Sequence, residues 1–494
     1  MDVILFNPST GYYNRALFNP LGLLSIGTFL KANGFGVRIV DRCIQRVNLK
    51  KLLDEEKPLV IGISLMSSRG LRDAVKISRE AKKRGITVVW GGQLPTMQTD
   101  EVLKSGYVDY VSQGEGEYTW LEIMQAIKSG KIIENIHGLA YLKDGKVFMT
   151  ECRPFADLAD FPVSDFSLID TPKYMQPYLG CKRMMYLYSA KGCPCRCAFC
   201  SNASFHKSTI RMRPFEKVIE EIKVLVENYG LDGVYFSDEL FCLRQEQMME
   251  FCDLIEKNDL HFYWGVQLRI GIIDDAGFRR MYETGCRWVI IGIETGSPEI
   301  MKRIHKNIDV SKIVPTFKVL NEIGITAVAS FIIGYPNENA EQLRDTVKLI
   351  KRLNTTLIPV YHFTPLPGTE LYNEVIENGT YKPPKTMRQM EKVVATESLG
   401  KNLSAVPDVD LKVIRCWVNW RALVSKNTLK SSRSYEFLKD TVLSGLHAIS
   451  QKGVISFFVD GFSAAYELIY TLWYSHAYPK VLKKYGLKDD KKGA

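Results

Sequence analysis

Apolar residues in the first part of the chain fall in short β-rich runs at Val3–Phe6, Val37–Val40, Val60–Ser64, Thr87–Trp90 and Tyr107–Ser112. Between these runs the apolar positions recur at helical spacing, over roughly Leu21–Asn33, Gly70–Arg84 and Gly116–Lys128. Short apolar runs alternating with amphipathic helices predict βαβ units and an α/β fold built on a doubly wound parallel sheet. Ligands of such sheets bind outside the carboxyl ends of the strands. Those ends carry Asn7-Pro8-Ser9, Asp41-Arg42-Cys43, Ser64-Leu65-Met66-Ser67-Ser68, Gly91-Gly92-Gln93 and Gln113-Gly114-Glu115. Small residues predominate where a ligand would approach.

Periodicity lapses after about residue 135, apart from a hairpin signal at Lys143-Asp144-Gly145-Lys146. Alternation resumes with strands at Met184–Ala190, Gly233–Ser237, His261–Gln267, Trp288–Ile293, Thr326–Ile333 and Ile358–Phe363. These six repeats predict a (βα)6 partial TIM barrel, whose chemistry sits on the loops after the strands. The last part reads as helical and aromatic, with Trp417, Trp420, Phe437, Phe457, Phe458, Phe462, Tyr466, Tyr470, Trp473 and Tyr474. Core packing is the favoured reading of that stripe, with a lid over a hydrophobic substrate or an interfacial helix as the alternatives. The 494 residues thus divide into 1–135, a sheet domain; 136–183, a connector; 184–385, a partial barrel; and 386–494, a helical C-terminal domain.

The net charge of +10 is spread along the chain and argues only weakly for nucleic acid, so no nucleic-acid partner is expected. The N-terminus lacks the basic and apolar regions of a signal peptide, and no stretch reaches ~18 uninterrupted apolar residues. A cytoplasmic protein without a transmembrane segment is expected, with peripheral membrane attachment through the basic tail Lys480–Lys492 or the aromatic helices as the alternative. The eleven cysteines are odd in number, and four lie within Cys193-Pro-Cys195-Arg-Cys197-Ala-Phe-Cys200, so metal binding is a better reading than disulfides.

Cys193, Cys197 and Cys200 have the spacing Cys-x3-Cys-x2-Cys, which lets three thiolates on one tight loop face a single point. Thiolates select iron–sulfur clusters or zinc. Structural zinc normally takes four protein ligands, whereas a [4Fe–4S] cluster on three cysteines leaves one iron free for substrate. Cys195 would bring the count to four, but its spacing from Cys193 makes a shared cluster face awkward, and it reads as a bystander.

At this loop the sequence resembles the radical S-adenosylmethionine enzymes, whose signature is this spacing with an aromatic residue before the last cysteine, here Phe199. The resemblance implies a [4Fe–4S] cluster whose free iron binds the amino and carboxyl groups of S-adenosylmethionine. Reductive cleavage there would yield methionine and a 5′-deoxyadenosyl radical, with electrons from a donor such as flavodoxin or ferredoxin. It also implies cofactor contacts from Ser237, Asp238 and Glu239 after the second barrel strand and Glu294 after the fourth, within Gly292-Ile293-Glu294-Thr295-Gly296-Ser297. Gly334 and Pro336, in the turn Gly334-Tyr335-Pro336-Asn337-Glu338, resemble the family's adenine-side turn. Gln267 and Arg269 share a side by period two and are further candidates for S-adenosylmethionine contacts, while Ser237 or Asp238 serves equally as a helix N-cap.

The first domain resembles the cobalamin-binding domain of one large class of these enzymes, the class B radical methyltransferases among them. Asn19-Pro20-Leu21-Gly22-Leu23 with Asp41 is similar to its opening, and Ser64-Leu65-Met66 followed by Gly91-Gly92 to its corrinoid-tail site. By this resemblance cobalamin would touch Asn7, Pro8, Leu21, Gly22, Asp41, Arg42, Ser64, Leu65, Met66, Ser67, Gly91, Gly92, Gln93, Gln113, Gly114 and Glu115. Many cobalamin modules carry Asp-x-His-x-x-Gly, but Asp41-Arg42-Cys43-Ile44-Gln45-Arg46 has no histidine. A plain dinucleotide site is disfavoured, because no Gly-x-Gly-x-x-Gly follows the first strand. The implied activity is cobalamin-dependent methyl transfer to an unactivated carbon of a small-molecule or peptide substrate, with methylcobalamin as methyl carrier. Cyclisation, rearrangement or oxidation by the same machinery is the enzymatic alternative, and a cobalamin or iron–sulfur binding protein without catalysis the other.

Overall fold

The computed structural model describes residues 1–10, 18–353, 355, 357–393, 401–424, 469–470, 473–474 and 478–487. The chain forms two compact units. The first holds residues 1–14, 18–174 and 382–395, and the second 175–381 with the remaining C-terminal residues.

In the first unit, β1 (Val3–Asn7), β2 (Val37–Asp41), β3 (Val60–Ser64), β4 (Thr87–Gly91) and β5 (Tyr110–Ser112) run parallel in the order β2-β1-β3-β4-β5. Their near-continuous apolar sequences suit burial on both faces, and Val3 to Phe6 are fully buried. Helices Leu21–Ala32, Leu71–Lys82 and Glu117–Lys128 supply the crossovers expected from the periodicity. Helix Leu49–Glu56 was not foreseen: its eight residues, Leu-Lys-Lys-Leu-Leu-Asp-Glu-Glu, are too few for a periodic signal.

Two corrections concern the connector and the C-terminal part. The hairpin lies where its turn residues placed it, as β6 (Leu139–Lys143) and β7 (Lys146–Met149), with Asp144 and Gly145 at positive φ. It is part of the first unit, because β6 pairs antiparallel with β5 and makes the sheet seven-stranded and mixed. That unit continues to Tyr174, whose hydroxyl donates to buried Asp41 at 2.8 Å. Residues 382–395, of which 382–385 were expected in the partial barrel and 386–395 in a C-terminal domain, belong to it too, and Met390 enters its core at 1% exposure.

The second unit has six parallel strands, β9 (Cys181–Leu187), β12 (Gly233–Phe236), β13 (Tyr263–Leu268), β14 (Cys286–Glu294), β15 (Thr326–Ile333) and β16 (Val360–His362), side by side in sequence order. β8 (Gln176–Tyr178) adds an antiparallel edge beside β9. This is the expected (βα)6 partial barrel. A separate ribbon of β10 (Ala190–Gly192) and β11 (Ile210–Met212) brackets the cysteine loop. The aromatic C-terminal stripe is described in part: Trp417 is buried, Trp473 is 54% exposed, and Phe437, Phe457, Phe458, Phe462 and Tyr466 lie outside the described residues. Among the described residues no helix is long and apolar enough to cross a membrane.

Candidate functional site

The cysteine loop leaves β10 through Gly192, at φ +91°. A Cβ there would lie 2.3 Å from the Thr209 carbonyl oxygen, so only glycine lets the backbone turn into Cys193 beside β11. The Ser237-Asp238-Glu239 triplet holds the stem of this loop. Buried Asp238 accepts from the Ser189 amide (2.8 Å), the Ser189 hydroxyl (2.6 Å) and the Ala190 amide (3.1 Å). Glu239 accepts from the Gly192 amide at 3.0 Å, and the Ser237 amide and hydroxyl both bond the Leu187 carbonyl. Ser237 and Asp238 are thus engaged within the fold, whereas Glu239 keeps a side chain 42% exposed.

The loop itself is clamped from two sides. The Ala198 amide donates to Ile304 O and the Leu371 amide to Ala198 O, each at 3.0 Å, while Cys200 N closes a turn onto Cys197 O. Phe199 packs near Tyr335, their ring centroids 6.1 Å apart. Cys197 is 7% exposed, and Cys193, Cys195 and Cys200 are partly exposed. Burial pushes the Cys197 thiol up and that of Cys200 up to about 11. Cys195 goes the other way, to about 6, because it accepts from the Cys193 thiol and faces Arg269 and Lys306. Arg269 Nη1 lies 2.9 Å from Cys195 Sγ. Among the described residues no three His, Cys, Asp or Glu side chains are already arranged around a common metal position. The donor set fits an iron–sulfur cluster, with thiols on a short clamped loop and Arg269 and Lys306 supplying positive charge for thiolates.

Glu294 and Arg269 lie at this end of the barrel. Lys306, which sequence reasoning missed, binds Glu294 at 2.9 Å with both side chains 11% exposed. No motif or spacing marks a lone lysine twelve residues beyond a strand. The Gln267 side chain is engaged with the Tyr235 hydroxyl. Gly334 and Pro336 form the turn after β15: Gly334 N (2.6 Å) and Tyr335 N (3.2 Å) donate to Glu338 Oε2, and Arg303 donates to the Pro336 carbonyl.

Burial pushes the Glu338 carboxyl up to about 7 despite those amides, and its Oε1 has no protein partner among the described residues. A carboxyl raised on folding contributes stability that is complete below its unfolded pKa and lost as pH rises through the folded one. Glu338→Gln keeps an acceptor for both amides and carries no charge. Its melting temperature should therefore gain on wild type between about pH 5 and about pH 8. A relative loss over that range would refute the assignment.

In the first unit, the loops after β3, β4 and β5 are bonded to one another at the carboxyl end of the sheet. Leu65 N donates to Gly91 O (2.9 Å), Leu94 N to Leu65 O (3.0 Å) and Gly114 N to Thr96 Oγ1 (3.1 Å). Gln113 Nε2 donates to Thr99 Oγ1 at 2.6 Å. Gly92 has φ +95°, and a Cβ there would meet Leu65 O at 2.8 Å. Ser64 to Ser67, Gly91 to Gln93 and Gln113 to Glu115 therefore share one edge with Asn7 and Pro8, which end β1. Leu21 and Gly22 begin helix Leu21–Ala32. Asp41 and Arg42 have partners inside the fold. Asp41 bonds Cys43 N and Tyr174, and Arg42 makes a two-point contact with Asp73 at 2.7 and 3.0 Å. The remaining edge fits a large, partly apolar group: Met66 is 80% exposed, and the buried Ser112 hydroxyl has no protein partner among the described residues.

One unit thus presents a cysteine loop on a six-stranded parallel half-barrel, and the other an open strand edge on an α/β sheet. The Radical SAM superfamily matches residues 187–350, and the B12 binding domain family matches residues 15–124. The chain is 29% identical over 367 residues to an uncharacterized methyltransferase of Pyrococcus horikoshii, covering 73% of this chain and 79% of that protein. It is 27% identical to the anaerobic magnesium-protoporphyrin IX monomethyl ester cyclase of Rubrivivax gelatinosus, covering 76% and 70%. Its fold is similar to that of the radical S-adenosylmethionine methyltransferase TsrM from Kitasatospora setae, solved with tryptophan substrate and a SAM analogue. The TM-score is 0.68 at 17% identity, covering 90% of this chain and 96% of that one. The chain therefore carries a radical SAM domain and a B12-binding domain.

Proposed function

We propose that this enzyme transfers a methyl group to an unactivated carbon of a small-molecule or peptide substrate. The observation that carries this reading is the occurrence, in one chain, of a clamped three-thiol loop on a radical barrel and a B12-binding sheet with an open carboxyl edge. When bound, the cluster with S-adenosylmethionine supplies a carbon radical, and cobalamin supplies the methyl group. Cys193, Cys197 and Cys200 would hold the cluster, and the edge formed by the loops after β3, β4 and β5 would hold the corrin. Glu239 and Glu294 offer carboxylates for the ammonium of S-adenosylmethionine. A flavodoxin or ferredoxin is the class of protein that would deliver the electron. None of the eleven cysteines is in a disulfide, which suits a reducing compartment such as the cytoplasm.

The test is anaerobic reconstitution with iron, sulfide and hydroxocobalamin, followed by incubation with S-adenosylmethionine carrying a deuterated methyl group, a low-potential reductant and candidate substrates. Methyl transfer by this route yields 5′-deoxyadenosine, S-adenosylhomocysteine and a deuterium-labelled product. The likeness to the cyclase favours a second reading, radical oxidation or ring closure. That reading yields 5′-deoxyadenosine and a dehydrogenated or cyclised product without the label, and such a result would reject methyl transfer.

A further inference from the structure

β14 ends in a register shift between Gly292 and Glu294, and Glu294 itself sits at φ +70°. This bulge aims the Glu294 carboxylate at Lys306 Nζ, 2.9 Å away. Gly292 makes room for the pair: a Cβ there would lie 2.2 Å from Glu294 Oε1 and 2.9 Å from Lys306 Nζ. The segment that carries Lys306 is tied to the cysteine loop at two points. Ile304 O accepts from Ala198 N at 3.0 Å. Arg269 bonds Lys306 O and Asn307 O (2.8 Å) with one nitrogen and Cys195 Sγ (2.9 Å) with another.

A buried ammonium is expensive to desolvate, and a left-handed glutamate is strained, so the arrangement has to be held by its surroundings. Its attachment to the cysteine loop through Arg269 and Ile304 gives it a use. One-electron reduction of a cluster adds a full negative charge at a site where Lys306 is already fixed and largely shielded from water, and cluster potentials respond to such charge.

We propose that Lys306 is a positioning cation that sets the reduction potential of the cluster on Cys193, Cys197 and Cys200, with Glu294 as its counterweight and Arg269 as the brace that fixes it to the loop. The proposal rests on the cluster reading of the site. Lys306 acts on the electron that enters the cluster, and the donor in the test is dithionite.

The experiment is an EPR-monitored redox titration of the full-length chain after reconstitution with iron and sulfide, with iron content measured on every sample. Lys306→Met is expected to lower the reduced-to-oxidised ratio at a fixed poise by about tenfold, which is about 59 mV for a one-electron couple. Glu294→Gln, which keeps the shape and the hydrogen bond, is expected to shift the potential upward. The double variant should fall between the two. Opposite shifts at equal iron content support the proposal, because a purely structural role would not change sign. An unchanged or lower potential in Glu294→Gln with iron retained overturns it, and this variant settles the sign even if Lys306→Met takes up less iron. If the wild-type chain takes up no iron, the cluster reading falls first and the proposal with it.

Discussion

Cys197→Ala is expected to lose bound iron and sulfide after reconstitution and to reduce 5′-deoxyadenosine formation from S-adenosylmethionine to background. The effect should exceed the ~10–100-fold loss of affinity that follows removal of an outer partner of a metal site, because a ligand itself is removed. Cys197 is the most buried thiol of the four and lies beside Ala198, whose amide and carbonyl clamp the loop to Ile304 and Leu371. Cys195 is poorly placed to take over, since its sulfur already faces Arg269 and accepts from Cys193. Cys195→Ser should therefore retain iron and the ability to cleave S-adenosylmethionine. Iron content, the visible spectrum and product formation, measured together on both variants, provide the check. Full iron in Cys197→Ala, or iron loss in Cys195→Ser with retention in Cys197→Ala, would reverse the roles given to these two cysteines.

The cysteine loop was legible because its chemistry depends on spacing within eight residues, and the parallel strands because fully buried strands must be apolar throughout. The register of a returning segment leaves no such mark. Nothing local distinguishes 382–395 as part of the first unit, and its Met390 reads as an ordinary helical apolar residue until the sheet covers it. The polar site residues divide on the same principle. Ser237, Asp238 and Glu239 were visible as a polar triplet at a strand end, but whether each faces a ligand or a backbone amide depends on Ser189 and Ala190, about fifty residues earlier. Asp41 reads as a ligand contact for the same reason, and one of its partners in the fold, Tyr174, lies 133 residues away. Lys306 belongs with these, since its significance comes from a bulge that only the strand pairing reveals.

Glu221→Ala is expected to destabilise the barrel unit by about 3–5 kcal/mol, the usual cost of removing one partner of a buried ion pair. Arg213 and Glu221 are 3% and 1% exposed and meet in a two-point contact of 2.9 and 2.6 Å. Arg213 follows β11; its amide donates to Ser189 O at 2.7 Å, its guanidinium to Tyr188 O at 2.9 Å, and it lies over the Tyr188 ring. The pair thus joins helix Phe215–Tyr229 to the segment that Asp238 holds from the other side, just before the cysteine loop. Removing Glu221 leaves the guanidinium buried without its counter-charge, a larger penalty than the net value of the intact pair. For a unit of this size the loss corresponds to a fall in melting temperature on the order of 10 °C. Replacing both residues by apolar side chains of similar volume should recover much of the loss, because then no charge remains to be solvated. Thermal unfolding of Glu221→Ala and of Arg213→Met/Glu221→Leu separates the two effects. A single variant within about 1 kcal/mol of wild type, the range of exposed pairs, would show that water reaches the guanidinium and that the cysteine loop is not held through this contact.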